Sequence, residues 1–595
     1  MSKMTKTEPF FLNDSRDSKT LMKVALGEEQ ADLVVVNAKC ANVYTGELLN
    51  DCAISIKGKW IAYVGRDPQI TIGSATKVID VNGQTVIPGL IDGHTHLALL
   101  STAGEVLKYA IKGGTTTIVT ETMEPFPVAG YEGLIDFLKS FENQPIKILA
   151  TAPAMISISR TARGISEQTL QKLLARNDIV GMGESYWQAV LQDPGSILPL
   201  FDQTIRSGKT LEGHSAGASE KKLSAYIASG ISTCHEPINV EQVLERLRLG
   251  LHVMVREGAV RKDLKEIAKI KDHRIDSRRM ILVSDSISPA DLIENGYMEG
   301  ILQKAIDWGF EPIKAIQMAT LNVAEHFSLD HLIGGIAPGR YADLVIIPDM
   351  ATIEAQLVIS NGQIVAENGN PLISPRKHKF SQKSLNSIQL PREFKPSDFI
   401  IPAPAGTQKV RVRVINMVTD LVTSEVVLTR PVTDAQLSTN SKQDINKISA
   451  IDRTHNPGNL FTGLIKGFGL KSGAIASSAA WDTSDIVVIG ANDQDMAFAV
   501  NRIRNLQGGT VVCDQGKILS ELPLPIFGLI SDLPLEAIDR QLKEVTKAAR
   551  SLGVSFPQPM LSLTTLTGAA IPYLRICEEG YVNLKDGKQV PLFVE

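Results

Sequence analysis

The spacing of apolar residues divides the chain into successive textures. From Ala31 to Gly89, short apolar or alternating runs (ADLVVVNAKCANVY, DCAISIKGKWIAYVG, ATKVIDVNGQTVIPG) are punctuated by Gly, Asn and Asp, which predicts strands joined by turns. The same texture returns between Ala342 and Gly369, where AQLVISNGQIVAENG predicts two strands joined by a hairpin at Asn361-Gly362. The two segments are expected to form one composite β-sandwich domain from residues 1–87 and 336–375.

Between them, strand-like runs alternate with amphipathic stretches of helix length. The runs include Thr115–Thr120, Ile146–Ala150, Asp178–Gly183, Ile231–His235, Leu251–Arg256 and Met280–Ser284, with EQTLQKLLARN and VEQVLERLRLG among the helical stretches. This alternation predicts an α/β unit with parallel strands, and its length of roughly 250 residues suits a single (β/α)8 TIM barrel over 88–335. A doubly wound sheet would want a glycine-rich phosphate turn after its first strand, where this chain has Pro88-Gly89-Leu90-Ile91-Asp92-Gly93-His94. Residues 376–409 are polar, rich in Ser, Lys and Pro, and read as a linker. Residues 410–595 again mix strands with helices and are expected to form a separate C-terminal α+β domain.

Composition narrows the partners. The 595 residues include 61 basic and 65 acidic side chains, a formal net charge of −4, which gives no electrostatic footprint for nucleic acid. The five cysteines (Cys40, Cys52, Cys234, Cys513, Cys577) are scattered, so neither a disulfide framework nor a CxxC knuckle is expected. The first 17 residues lack an apolar signal core, and no window approaches the ~18 apolar residues of a membrane span. A cytoplasmic protein without membrane or nucleic-acid partners is the expectation.

The candidate chemistry begins in IDGHTHL. On a strand, i and i+2 share a face, so His94 and His96 can meet one metal ion. His214 in LEGHSAG, His235 in ISTCHEP and Asp285 after Met280–Ser284 also fall where strands should end, and in a barrel those ends converge on one mouth. Two cations sharing the mouth would need an anion between them, and Glu184, closing the run Asp178–Gly183, is placed to bridge. A carboxylated Lys147 would serve the same end, but Lys147 starts its strand, away from the mouth. Cys234 precedes His235 and so faces the opposite way, into packing. His252, His273, His326 and His331 receive no role. Four imidazoles and two carboxylates suit Zn, Mn or Fe(II). Such a centre lowers the pKa of water toward neutrality, and Asp285 is the candidate to take the proton and return it to a leaving group.

PGLIDGHTHL, GMGES, EGHSAG, STCHEP and MATLNVAEHFSLDHLIGGIAPGRYADLVI together resemble the amidohydrolase superfamily. The C-terminal motifs GLIKGFGLKSGAIASS, VVIGANDQDMAFAVN and LPLPIFGLISDLP narrow the resemblance to the adenine deaminase family, over nearly the whole chain. The resemblance implies a binuclear Mn(II) or Fe(II) centre, with Zn(II) compatible, held by His94, His96, Glu184, His214, His235 and Asp285. Asp285 and Glu184 would be the catalytic carboxylates, and water would replace the 6-amino group of adenine to give hypoxanthine and ammonia, a step of purine salvage. It also implies a homo-oligomer. Glu236, Arg256 and Glu257 are candidates to bind the purine edge or order the ligands, or to form a structural ion pair.

Some positions depart from the family pattern. Leu97-Ala98-Leu99 stands for Ile-Glu-Ser, Glu121-Thr122-Met123-Glu124 for Asp-Pro-His-Glu, Gly296-Tyr297-Met298-Glu299 for Gly-His-X-Asp, and Trp481-Asp482-Thr483-Ser484-Asp485 for His-Asp-Ser-His-Asn. The ligand positions are intact while the polar lining changes. That leaves open another 6-substituted purine or amino-heterocycle, a cyclic-amide hydrolase, or a non-catalytic purine-binding protein.

Overall fold

The computed structural model describes residues 17–154, 157–162 and 164–595. The stretch read for a targeting signal therefore lies, up to residue 16, outside the described residues. The two outer β segments meet in one nine-stranded sheet. They are stitched where Thr85–Pro88 pairs antiparallel with Leu344–Ile347 and parallel with Leu33–Asn42. One core draws Val35, Ile54 and Val86 from the first segment and Leu344, Ile346 and Ile359 from the second. The expected hairpin forms at Asn361-Gly362, with φ of 51° and 72°, the positive pair that a tight two-residue hairpin turn requires.

Eight parallel strands follow in sequence order. Leu90–Thr95, Thr115–Thr120, Lys147–Ala152, Ile179–Tyr186 and Thr210–His214 form one ladder, and Thr233–Cys234, His252–Arg256 and Met280–Val283 a second. The ladders meet at two seams. At one, the Ser232 amide donates to Leu211 O (3.0 Å); at the other, the Asp285 amide donates to His94 O (3.0 Å). Asp92 ties the second seam, accepting from Ser284 Oγ (2.6 Å) and Tyr297 Oη (2.7 Å). The strands are buried on both faces, as parallel strands wrapped by helices must be. Ile91, Val119, Leu149, Val180, Met254 and Ile281 fill the interior with one apolar cluster, continuous with Trp60 and Tyr341 of the composite sheet.

Segment 376–409 leads from the composite sheet to the C-terminal domain and is anchored at intervals up to residue 401, whereas 402–409 is mostly exposed. Gln144 exchanges two hydrogen bonds with the Arg376 backbone (both 2.9 Å), His378 pairs with Asp136 (2.9 Å), and Phe394 and Phe399 are buried in the C-terminal core. Its apolar residues are too widely spaced to show a period, which is why it reads as a linker. The C-terminal domain is a second nine-stranded, mostly antiparallel sheet with helices Asp493–Leu506 and Leu535–Ser551. It docks on the barrel mouth by backbone pairing of Ile530–Ser531 with Leu100–Ser101 and by a hydrogen bond from Tyr109 Oη to Glu536 Oε1 (2.6 Å). Among the described residues, no helix is long and apolar enough to cross a membrane.

At the other end of the barrel, Lys147 Nζ lies 2.7 Å from Asp343 Oδ1, with both side chains buried, and 4.9 Å from the Tyr341 ring centroid. Lys147 is thus committed to the joint between barrel and composite sheet, far from the mouth. Removing one partner of a buried pair strands the other charge, so Asp343→Ala is expected to destabilise the protein by about 3–5 kcal/mol in guanidinium unfolding. A loss below about 1 kcal/mol would show that the pair does not hold this joint.

Candidate metal centre

His94 lies on the first barrel strand and His96 just beyond it, Glu184 is in the fourth, His214 ends the fifth, and His235 and Asp285 follow the sixth and eighth. All six side chains are buried. They fall into two groups with a common member. One potential ligand atom from each of His94, His96, Glu184 and Asp285 lies within 4.8 Å of the others, and the same holds for Glu184, His214 and His235. Glu184 Oε1 is 3.2 Å from His94 Nε2 and 3.3 Å from the Nε2 atoms of both His96 and His235. Asp285 Oδ1 completes the first group, 3.4 Å from His94 and 3.3 Å from His96. Asp285 and Ser286 are both left-handed, with φ of 47° and 70°, an unfavourable pair for non-glycine residues that turns the carboxylate back into the mouth. The crossing loop must be glycine at 258, because a Cβ there would stand 1.8 Å from Ser284 O.

Further side chains orient these six. Glu124 hydrogen-bonds His96 Nδ1, Glu121 Oε1 stands 3.6 Å from His94 Nδ1, and Glu236 Oε1 is 3.1 Å from both His214 Nε2 and His235 Nε2. Arg256 donates from Nη1 to Glu236 (2.8 Å) and Asp285 Oδ2 (3.1 Å), and from Nη2 to Asp263 (3.1 Å). Of the three residues singled out for the purine edge or ligand ordering, Glu236 and Arg256 therefore stand at the centre. Glu257 does not, since neighbouring strand residues face opposite ways and its carboxylate meets Lys304 (3.0 Å) of an outer helix.

Glu121 and Glu124 were visible only as departures from a motif. The signal for them was their position directly after strand Thr115–Thr120, at the same mouth as the ligands. The C-terminal domain adds two residues that no barrel pattern could locate. The Trp481 ring lies 5.5 Å from that of His96, and Asp482 accepts from Tyr186 Oη (3.1 Å), whose ring lies edge-on to His214 at 5.0 Å.

The electrostatics call for cations. Five carboxylates (Glu121, Glu124, Glu184, Glu236, Asp285) face the imidazoles, and Arg256 is the one guanidinium among them. The set is therefore net negative while the imidazoles are neutral, the more so because Arg256 is shared with buried Asp263. Without cations, protons must serve. Burial opposes charge on His94, but Asp285 and Glu184 push it up to about 10, and His96 is also raised well above the usual imidazole range, against burial, by Glu124 and Asp285. Burial likewise opposes charge on Glu184 and Asp285, yet the surrounding imidazoles hold both well below the carboxylate range. Burial pushes Glu121 up to about 7 and Asp482 up to about 8. The Nε2 atoms of His94 and His96 have no hydrogen-bond partner despite burial. Unpartnered ring nitrogens aimed at shared carboxylate oxygens are what a metal-binding donor set presents.

Comparison with known proteins agrees with this geometry. A profile of the amidohydrolase family matches residues 85–369, and one of the adenine deaminase C-terminal domain matches 420–588. The chain is 34% identical to an adenine deaminase of Clostridium botulinum over 587 residues, covering 97% of this chain and 98% of that one. It is 34% identical to that of Moorella thermoacetica, with the same coverage, and 33% identical to that of Staphylothermus marinus over 98% of both chains. Similarity at this level along essentially the full length of several relatives, ending in their characteristic C-terminal domain, places the chain in the adenine deaminase family of the amidohydrolases.

Proposed function

We propose that the chain hydrolyses adenine to hypoxanthine and ammonia at a two-cation centre held by His94, His96, Glu184, His214, His235 and Asp285. The observation that carries this reading is the pair of ligand groups joined through Glu184. Mn(II) or Fe(II) fits imidazoles mixed with carboxylates, and Zn(II) is compatible. When bound, the cations supply water deprotonated near neutral pH and stabilise negative charge that develops during attack at C6. Glu184, common to both ligand groups, would hold both cations and offset their mutual repulsion. Asp285 has one oxygen toward His94 and His96 and the other on Arg256, so it can take the proton of the attacking water without leaving its place. It then returns that proton to the departing 6-amino nitrogen, and adenine plus water becomes hypoxanthine plus ammonia. Glu121 and Glu124, at the Nδ1 atoms of His94 and His96, fix those imidazole orientations as carboxylates behind metal-binding histidines do, whereas Glu236 meets His214 and His235 on the Nε2 side that faces Glu184. The five cysteines are unpaired and buried, which supports a reducing, cytoplasmic setting. The homo-oligomer rests on the family resemblance alone.

Purified protein loaded separately with Mn(II), Fe(II) or Zn(II) should release ammonia from adenine, and His96→Ala should lose both bound metal and turnover. Asp285→Asn is expected to lower kcat by about 10²–10⁴; full activity in either variant would overturn the assignment. Arg256 acts through Asp285. Because its charge lowers the Asp285 pKa, Arg256→Met should raise that pKa and move the acid limb of the pH–rate profile to higher pH. The same variant should reduce kcat by about 10–100-fold with little change in KM. An unmoved limb would remove Arg256 from this role.

A further inference from the structure

Two cavities reach the ligand cluster. The larger, about 570 Å3, runs from His96 past Leu99 and Ser286 and along helix Leu535–Ser551. The other, about 500 Å3, is bounded by Glu184, His214, His235, Arg256 and Asp285 and by C-terminal residues around Thr565. They share two lining side chains, Trp481 from the C-terminal domain and Val260 from the loop after Arg256. Each cavity thus meets the ligand cluster beside the same indole and the same branched aliphatic side chain.

The indole is held ready. The Trp481 amide donates to Thr564 O (3.2 Å), its carbonyl accepts from Thr567 Oγ1 (2.6 Å), and the next residue, Asp482, is buried and accepts from the Ala569 amide (2.8 Å) as well as Tyr186. Its ring leans on His96 at an interplanar angle of 62°, so its orientation is tied to a ligand of the proposed centre. Neither side chain titrates or binds metal; what they offer is a π-face and an apolar wall. An aromatic face stacks a heterocyclic base whatever its substituents, and a ring already ordered loses little entropy when it does so.

We infer that the space lined by Trp481 and Val260 is the slot that takes the substrate base, with Trp481 as its stacking face, so that the C-terminal domain supplies a binding contact while the barrel supplies the reactive groups. This deepens the deaminase reading and rests on it for the identity of the base. The slot selects for a planar heterocycle, and the 6-substituent is selected separately by the groups at the ligand cluster.

The test uses the metal-loaded full-length protein, with tryptophan emission titrated by unsubstituted purine, which has no 6-amino group to lose. Of the other three tryptophans, none lines either cavity. Purine should quench the wild type, and Trp481→Phe should abolish the quench while keeping its metal. In adenine turnover, Trp481→Ala should raise KM about tenfold and Val260→Ala less, with kcat nearly unchanged. Should Trp481→Ala not fold, Trp481→Phe and Val260→Ala carry the test. A quench that survives in Trp481→Phe, the absence of any quench in the wild type, or an adenine KM within twofold of wild type in a folded Trp481→Ala would overturn the slot. Purine quenching dependent on Trp481 without ammonia release from adenine would support the slot and reject the deamination reading instead.

Discussion

Five carboxylates buried in one barrel mouth are the constraint on which the rest of this structure depends. Ionised carboxylates are removed from water only at a cost of several kcal/mol each unless they are paired. Here the available partners are four imidazoles and Arg256, which leave the set net negative while the imidazoles are neutral. Either the imidazoles are protonated or cations occupy the space between the groups. Both states use the same geometry, and metal binding is then an exchange of protons for cations. The apolar layer beneath, from Ile91 to Ile281, keeps water out from below and leaves the mouth as the one place where this charge can be balanced.

Holding the mouth together falls largely to the seam between the first and last strands. His94 and Asp285, on the two sides of that seam, are joined by a backbone hydrogen bond, and Asp92 gathers donors from Ser284 and Tyr297 just below them. The left-handed turn at Asp285 and Ser286 is an unfavourable conformation that this network enforces. Closure of the barrel and placement of the Asp285 carboxylate are thus one event: a seam that opened would let the turn relax and withdraw the carboxylate from His94 and His96.

Much of this was legible in the sequence because barrel chemistry is local to strand ends. His94 and His96 announce themselves by spacing, and Glu184, His214, His235 and Asp285 by closing apolar runs; the structure brings all six together. Glu121 and Glu124 obey the same rule, but their departure from a known motif drew attention to the missing histidine rather than to the acids that remained. Glu257 takes the other of the two roles open to it, a structural ion pair with Lys304, which only the packing of an outer helix could decide. What no periodicity encodes is long-range placement: Trp481 and Asp482 stood out only as a departure from the family pattern, and their position beside His96 and Tyr186, some 200 residues beyond Asp285, depends on how the C-terminal domain docks. The anchored strap at 376–401 was hidden for a related reason, because its partners Asp136, Gln144 and Asn501 lie on other elements.

The docked C-terminal domain separates the weight of the reactive groups from that of the lining. Ligand residues answer to the charge balance of the mouth, and altering one disturbs the whole set. Residues such as Trp481 sit outside that balance, touching the cluster only through the edge of His96. They can be exchanged at the cost of base affinity alone, without dismantling the centre. A chain can therefore keep its six candidate ligand positions while replacing polar lining groups, as this one does, and the two-domain architecture makes the exchange possible by placing the candidate ligands in the barrel and Trp481 in the domain above it.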